Sequence, residues 1–136
     1  MTDFRFVADD FAVSPQISAA DVAVAAAMGF TLIVNNRPDG EAAEQPPGAA
    51  IEAAARAAGL NYVHIPVIGA PNAEQVEAVR RATEHAPGKV LAYCRSGTRS
   101  IVTWALGQAA DGKMTQGDLL RRAARAGYDL SAVLSA

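Results

Sequence analysis

The 136-residue sequence predicts a three-layer α/β/α fold around a mostly parallel central sheet. Two patterns carry that expectation. Short β-rich runs such as FTLIVN and KVLAY alternate with alanine-rich helical runs. The run ending at Tyr93 passes through a glycine-containing loop into a helix-compatible stretch, a strand–loop–helix unit of the kind that α/β sheets carry at their strand ends.

The elements follow in order. Phe4 to Val7 and Phe11 to Val13 read as short strands, with Asp9 and Asp10 in the turn between them. Ser18, with Asp21 three residues on, N-caps a helix that runs through Met28 and stops at Gly29. Phe30 to Asn35 is a buried strand. The Pro/Gly-rich segment from Arg37 to Gly48 is a loop, and the helix after it ends at Ala58-Gly59. Tyr62 to Ile65 is the next strand and Pro66 to Pro71 a loop. Asn72 with Gln75 then opens a helix that is stopped by Pro87-Gly88. Val90 to Tyr93 is the strand that delivers Cys94. Helices over about Arg99 to Ala110 and, capped by Thr115 with Asp118, over Gln116 to Ala126 complete the chain, with a short helix expected within Tyr128 to Ala136.

Composition excludes several classes of function. The length suits one domain over residues 1–136, and 51% hydrophobic content suits a buried core. A net charge of −2 supplies no attraction for nucleic acid or an anionic membrane surface. The single cysteine cannot form an internal disulfide. With no leader-like apolar segment in MTDFRFVADDF, a reducing cytoplasm is the expected setting. The apolar stretches are interrupted well before membrane-spanning length. The two histidines and one cysteine lie in separate segments, so no metal site and no cofactor are expected.

Chemistry concentrates in Cys94-Arg95-Ser96-Gly97-Thr98-Arg99-Ser100. A buried structural cysteine needs no arginines, hydroxyls and glycine in the next six positions. At a helix start, backbone N–H groups and the positive end of the helix dipole favour an anion, and so favour a thiolate nucleophile. Cys94 and Arg99 are the candidate catalytic pair, because a planar guanidinium can grip two oxygens of a tetrahedral group. Arg95, Ser96, Gly97, Thr98 and Ser100 are candidate anion-binding residues, with Arg95 pointing outward to steer anions inward.

This loop resembles the active loop of rhodanese-type sulfurtransferases and is also similar to the signature loop of cysteine-dependent phosphatases. VSPQIS (Val13 to Ser18), GFTLIVNNRPDGE (Gly29 to Glu41), YVHIPV (Tyr62 to Val67) and the Cys94 loop together resemble a bacterial family with a dual-specificity-phosphatase-like fold. That family is related to the N-terminal domain of beta-lactamase-hydrolase-like proteins and is commonly assigned as sulfurtransferase. The resemblance implies a phosphatase-like architecture with the Cys loop between the last strand and its helix. It also places Arg37-Pro38-Asp39-Gly40-Glu41 beside the site, which makes Arg37, Asp39 and Glu41 secondary candidates. From the residues alone, Pro38-Asp39-Gly40 is a turn followed by solvated acids. His64 is a further secondary candidate, weighed against an ordinary hydrogen-bonded role, and Trp104 is expected in the core.

Loop length and a missing acid decide the expected chemistry. Cysteine-dependent phosphatases resemble one another in a Cys-x5-Arg spacing, a histidine before the cysteine and an aspartic acid after the strand matching YVHIPV. Here the spacing is Cys-x4-Arg, Tyr93 precedes the cysteine, and Val67 to Asn72 carries no carboxylate. A general acid is worth about 10²–10⁴ in rate where an alkoxide must leave. Sulfite or a thiolate leaves without one. The expectation is therefore a sulfurtransferase that moves sulfane sulfur from thiosulfate or a persulfide through a Cys94 persulfide to a thiol acceptor. Two other readings stay open: a phosphatase acting on a good leaving group such as an aryl or acyl phosphate, and a non-catalytic anion-binding or redox-sensing module. The partner is thus a small anionic sulfur or phosphate compound, and a homo-oligomer is compatible with the sequence.

Overall fold

The computed structural model describes residues 2–134. Its sheet contains β1 (Arg5–Ala8), β2 (Phe11–Ser14), β3 (Phe30–Asn35), β4 (Asn61–His64) and β5 (Lys89–Tyr93), in the spatial order β1-β2-β5-β3-β4. β1 pairs antiparallel with β2, while β2, β5, β3 and β4 run parallel. The helices are α1 (Ala19–Ala27), α2 (Gly48–Ala57), α3 (Ala73–His85), α4 (Thr98–Ala110), α5 (Gln116–Arg125) and α6 (Ser131–Leu134). This is the α/β architecture with flanking helices that the sequence predicts.

Alternation along the strands sorts the core into two layers. On β5, Leu91 and Tyr93 face α1 and α2, where they pack with Ile17, Val22, Ile33 and Ile51. Val90 and Ala92 face the other way, toward Val79 of α3, Ile101, Trp104 and Ala105 of α4, and Leu119 of α5. Trp104 is in this core, stacked on Phe11 with ring centroids 5.5 Å apart. Tyr93 is 1% exposed and sits in the opposite layer.

The helix starts are set locally. Ser18 with Asp21, and Asn72 with Gln75, each form a complete capping box, and Thr115 caps α5 through the Asp118 N–H. Such caps contribute about 1 kcal/mol each. Boundaries differ from expectation by a residue or so. β4 covers Asn61–His64 rather than Tyr62 to Ile65, because the Ile65 N–H continues to the Asn35 carbonyl but the chain then turns at Pro66. α4 begins at Thr98, directly after the αL residue Gly97. Of the terminal helix expected within Tyr128 to Ala136, Ser131–Leu134 is helical, and 135–136 lie outside the described residues.

Register places the site. Ser14 of β2 pairs with Tyr93 of β5, Tyr93 with Asn35 of β3, and Asn35 with His64 of β4. Four strand ends therefore form one row along the carboxyl edge of the sheet. The residues that leave this row, Gln16, Cys94, Asn36 and Arg37, are carried onto a common edge.

Candidate active site

Cys94 follows β5 directly, its N–H donating to the Ser14 carbonyl at 3.3 Å, and its side chain is fully buried at the floor of the loop. The Gly97 N–H donates to Cys94 Sγ at 3.1 Å. Gly97 is the N-cap of α4 with φ +91, a conformation open to glycine at little steric cost. A Cβ there would also stand 2.1 Å from the Tyr128 hydroxyl. Beyond it, the first turn of α4 presents N–H groups of Thr98, Arg99 and Ser100 that have no partner four residues back, the first such bond being Ile101 N–H to the Gly97 carbonyl at 3.0 Å. The sulfur thus lies at a helix N-terminus, where dipole and amides favour negative charge.

Arg99 is fixed in place. Its Nη1 and Nη2 donate to Glu41 Oε2 and Oε1 at 2.8 and 2.9 Å, and Nη1 also donates to the Val67 carbonyl at 2.8 Å. Glu41 Oε1 accepts in addition from Nε of Arg37 at 2.9 Å, and Nη1 of Arg37 reaches Gln16 Oε1 at 3.0 Å. The Arg99 guanidinium, helped by Arg37 and opposed by desolvation, pulls the Glu41 carboxyl from its ordinary 4.5 down to about 2. Glu41 in turn raises the pKa of Arg99, with the nearby Cys94 adding to the same effect. A guanidinium has five N–H donors, and these bonds leave Arg99 Nε–H and the outer Nη2–H, a second edge able to take two oxygens.

A buried chain of polar groups ties the loop to β3. Ser100 Oγ donates to Asn36 Oδ1 at 2.8 Å, Asn36 Nδ2 donates to the Ile65 carbonyl at 2.9 Å, and Ser100 and Asn36 are both fully buried. Each buried donor and acceptor here is matched, as burial requires.

The sequence candidates separate clearly. Cys94, Gly97, Arg99, Ser100, Arg37 and Glu41 are brought together. Arg95, Ser96 and Thr98 are on the loop but exposed, with Ser96 Oγ and Thr98 Oγ1 2.9 Å apart. Asp39 does not reach the sulfur: its Oδ1 accepts from the Gly48 N–H at 2.7 Å and ties the Arg37 to Gly48 loop to the start of α2. His64 is tied by Nε2 to the Arg37 carbonyl at 2.9 Å, a backbone tether. Glu41 is no solvated loop acid; it is a pinned carboxylate. Asn36, at a polar strand end expected to converge on the pocket, meets Ser100 there. Gln16 and Tyr128 also reach this cluster and are absent from the candidates; Gln16 lies within VSPQIS and so had a signal, and Tyr128 had none.

A model of the family described as beta-lactamase hydrolase-like protein, phosphatase-like domain, matches residues 3–111. Beta-lactamase hydrolase-like proteins of Xylella fastidiosa and Agrobacterium fabrum are 39% and 37% identical over 120 and 121 residues. Those alignments take in 88% of this chain, but the chain spans only 28% of the length of either relative. The crystal structure of a proposed phosphatase from Neisseria meningitidis is 35% identical, with a TM-score of 0.85 over 96% of this chain and 92% of that one. Tk-PTP in its active form shares the fold at 20% identity and a TM-score of 0.75, over 97% of this chain and 91% of its own.

The matching family and the Neisseria structure overturn the sulfurtransferase expectation and the enzyme class drawn from it: the one is described as a phosphatase-like domain and the other as a proposed phosphatase. The physical error lies in reading loop size from the Cys-x4-Arg count. The N–H groups around the sulfur come from Gly97 and the first turn of α4, whatever the count to the next arginine, and a long arginine side chain tolerates a one-residue displacement of its root. The position one residue later holds Ser100, which is buried against Asn36. Tyr93 says nothing about the reacting group, since its side chain is buried in the core layer of Ile17, Ile33 and Ile51. The rhodanese likeness of the loop is thus a likeness of composition. The chain belongs to the phosphatase-like domain family of beta-lactamase hydrolase-like proteins.

Proposed function

From that family membership we propose that the chain is a cysteine-dependent phosphatase acting on phosphate monoesters with good leaving groups, aryl phosphates first among them. The observation that carries this reading is Cys94 Sγ held 3.1 Å from the Gly97 N–H at the N-terminus of α4, with Arg99 pinned beside it. In the proposed reaction the thiolate of Cys94 attacks phosphorus, an S–P bond forms, and the P–O bond breaks with its electron pair leaving on the aryl oxygen. Water then attacks phosphorus, the S–P bond breaks, and inorganic phosphate leaves with the thiolate restored. Amides of the loop and the free Nε/Nη2 edge of Arg99 take up the negative charge on the equatorial oxygens. Glu41 is a positioning residue: it fixes the rotamer of Arg99 and leaves that edge turned to the substrate.

The leaving-group restriction follows from proton supply. Val67 to Asn72 offers no carboxyl group, and Glu41, at about 2, is ionised at neutral pH and has no proton to give. A phenolate departs without help, and an alkoxide does not. Steady-state hydrolysis of a series of aryl phosphates and one alkyl phosphate tests this. Turnover should fall steeply as leaving-group basicity rises, and the alkyl ester should be hydrolysed at least about 10²-fold more slowly than a nitrophenyl ester. Comparable rates for the two would show that a proton donor operates and overturn the restriction.

A further inference from the structure

Tyr128 lies outside the loop and outside the Arg99 frame, yet its side chain reaches the loop backbone. Its hydroxyl donates to the Ser96 carbonyl at 2.8 Å. A trans peptide is planar, so the carbonyl of Ser96 and the N–H of Gly97 point to opposite sides of one rigid unit. One side is fastened to Tyr128 and the other delivers the Gly97 N–H to Cys94 Sγ at 3.1 Å. The two hydrogen bonds are the two ends of one lever. Rotation of that peptide would turn a carbonyl oxygen toward the sulfur and replace a donor with an acceptor where negative charge must gather.

The hydroxyl is itself well held. Tyr128 is 9% exposed, and burial pushes its phenol pKa up, so it remains a donor through the neutral range. The Tyr128 N–H donates to the Ala123 carbonyl at 2.8 Å, at the end of α5. The Arg5 guanidinium stands over the ring at 5.1 Å, while its Nη1 donates to the Ala126 carbonyl at 3.3 Å. The ring therefore has Arg5 of β1 on one face and its backbone tied to the end of α5, contacts that oppose movement of the hydroxyl with the loop.

We propose that Tyr128 is a positioning residue that locks the Ser96–Gly97 peptide with its N–H toward Cys94, and so sets the anion affinity of the loop. This deepens the phosphatase reading and rests on it for its place in turnover, but the lock can be read without turnover. Tyr128→Phe keeps the ring and removes the fastening. In that variant, protection of Cys94 from iodoacetamide by inorganic phosphate should weaken by roughly tenfold or more. The ratio kcat/KM for a nitrophenyl phosphate should fall by a similar factor, with the melting temperature within a few degrees of the parent, about the effect of one lost hydrogen bond. Gly97→Ala, whose Cβ would meet the same hydroxyl at 2.1 Å, should move phosphate protection in the same direction and keeps the test open if Tyr128→Phe folds poorly. Parental phosphate protection in Tyr128→Phe would overturn the lock and leave the phosphatase reading standing. Shifted binding readouts in a protein whose parent hydrolyses no aryl phosphate would support the lock and sink the phosphatase reading.

Discussion

Two loops meet at the carboxyl edge of the sheet, and they are built very differently. Cys94 to Ser100 is held from all sides: by the Ser14 carbonyl, the Gln16 N–H, the Tyr128 hydroxyl, Asn36 and the Arg99–Glu41 pair. Val67 to Asn72 is held at one end by the Val67 N–H to the Asn36 carbonyl and the Arg99 bond to the Val67 carbonyl, and at the other by the Asn72–Gln75 capping box. Between those ends it exposes Ile68 to 80% and turns at Gly69. Preorganisation costs conformational entropy and is worthwhile where charge must be stabilised at the moment of reaction. The molecule applies it to Cys94 and the loop around it, the nucleophile and anion cradle of the proposed reaction. The neighbouring loop, which would supply a proton in the phosphatases this chain resembles, has neither the acid nor the fixation to aim one.

The contrast is most severely tested at its rigid side. Cys94→Ser should reduce aryl phosphate hydrolysis to background with an unchanged melting temperature, since a hydroxyl fits the cavity but is a far weaker nucleophile at neutral pH. Residual turnover above trace would move the chemistry away from this loop. Arg99→Lys should follow with a loss of roughly 10²-fold in kcat/KM, because an ammonium cannot hold Glu41 and two phosphate oxygens in one plane. Parental kinetics in that variant would leave the loop amides as the whole of the cradle.

How much of this could be read along the chain depends on sequence distance. The capping boxes at Ser18 and Asn72 join residues three apart, and both helix starts are legible for that reason. The strand–loop–helix unit at Cys94 is equally local. The partners that make it a site are not: Arg99 and Glu41 are 58 residues apart, Ser100 and Asn36 64, and Tyr128 and Ser96 32. No periodicity couples such pairs; sheet order and register do, by setting Ser14, Tyr93, Asn35 and His64 in one row. The chemistry was misjudged for a related reason. Residue counting treats the distance from Cys94 to the next arginine as the width of the cradle, whereas that width is set by backbone amides and by where a flexible guanidinium is pinned.

Glu41 holds Arg99 from a third loop and should give an intermediate effect. Glu41→Gln keeps the shape and removes the charge, so Arg99 loses its main partner and kcat/KM should fall by about tenfold, the expected result of a mispositioned guanidinium. Stability carries a second signature. The folded-state pKa of about 2 lies below the ordinary 4.5, so the ionised carboxylate favours the folded chain at all pH above 4.5, and that contribution fades as pH drops toward 2. Melting temperatures of the parent and Glu41→Gln should therefore differ by a constant amount above pH 4.5 and converge below it. A gap that stays constant down to pH 2 would mean that Glu41 is not held by Arg99 in solution.

The smallest effect is expected at the loose loop, and its smallness is informative. Ile68 is 80% exposed, so Ile68→Ser removes almost no buried apolar surface, and exposed substitutions of this kind usually change stability by less than about 0.5 kcal/mol. If the loop contributes no proton and no contact to the transition state, kcat/KM for a nitrophenyl phosphate should also stay within about threefold of the parent, a difference of less than 1 kcal/mol. The dependence of rate on leaving-group basicity should keep its slope, because no proton transfer from this segment is there to be lost. A loss of tenfold or more at unchanged stability, equivalent to about 1.4 kcal/mol, would show that Ile68 contacts the substrate or that the segment closes over it during turnover. The loose loop would then be a working part of the site, and the division between a rigid cradle and an idle neighbour would fail.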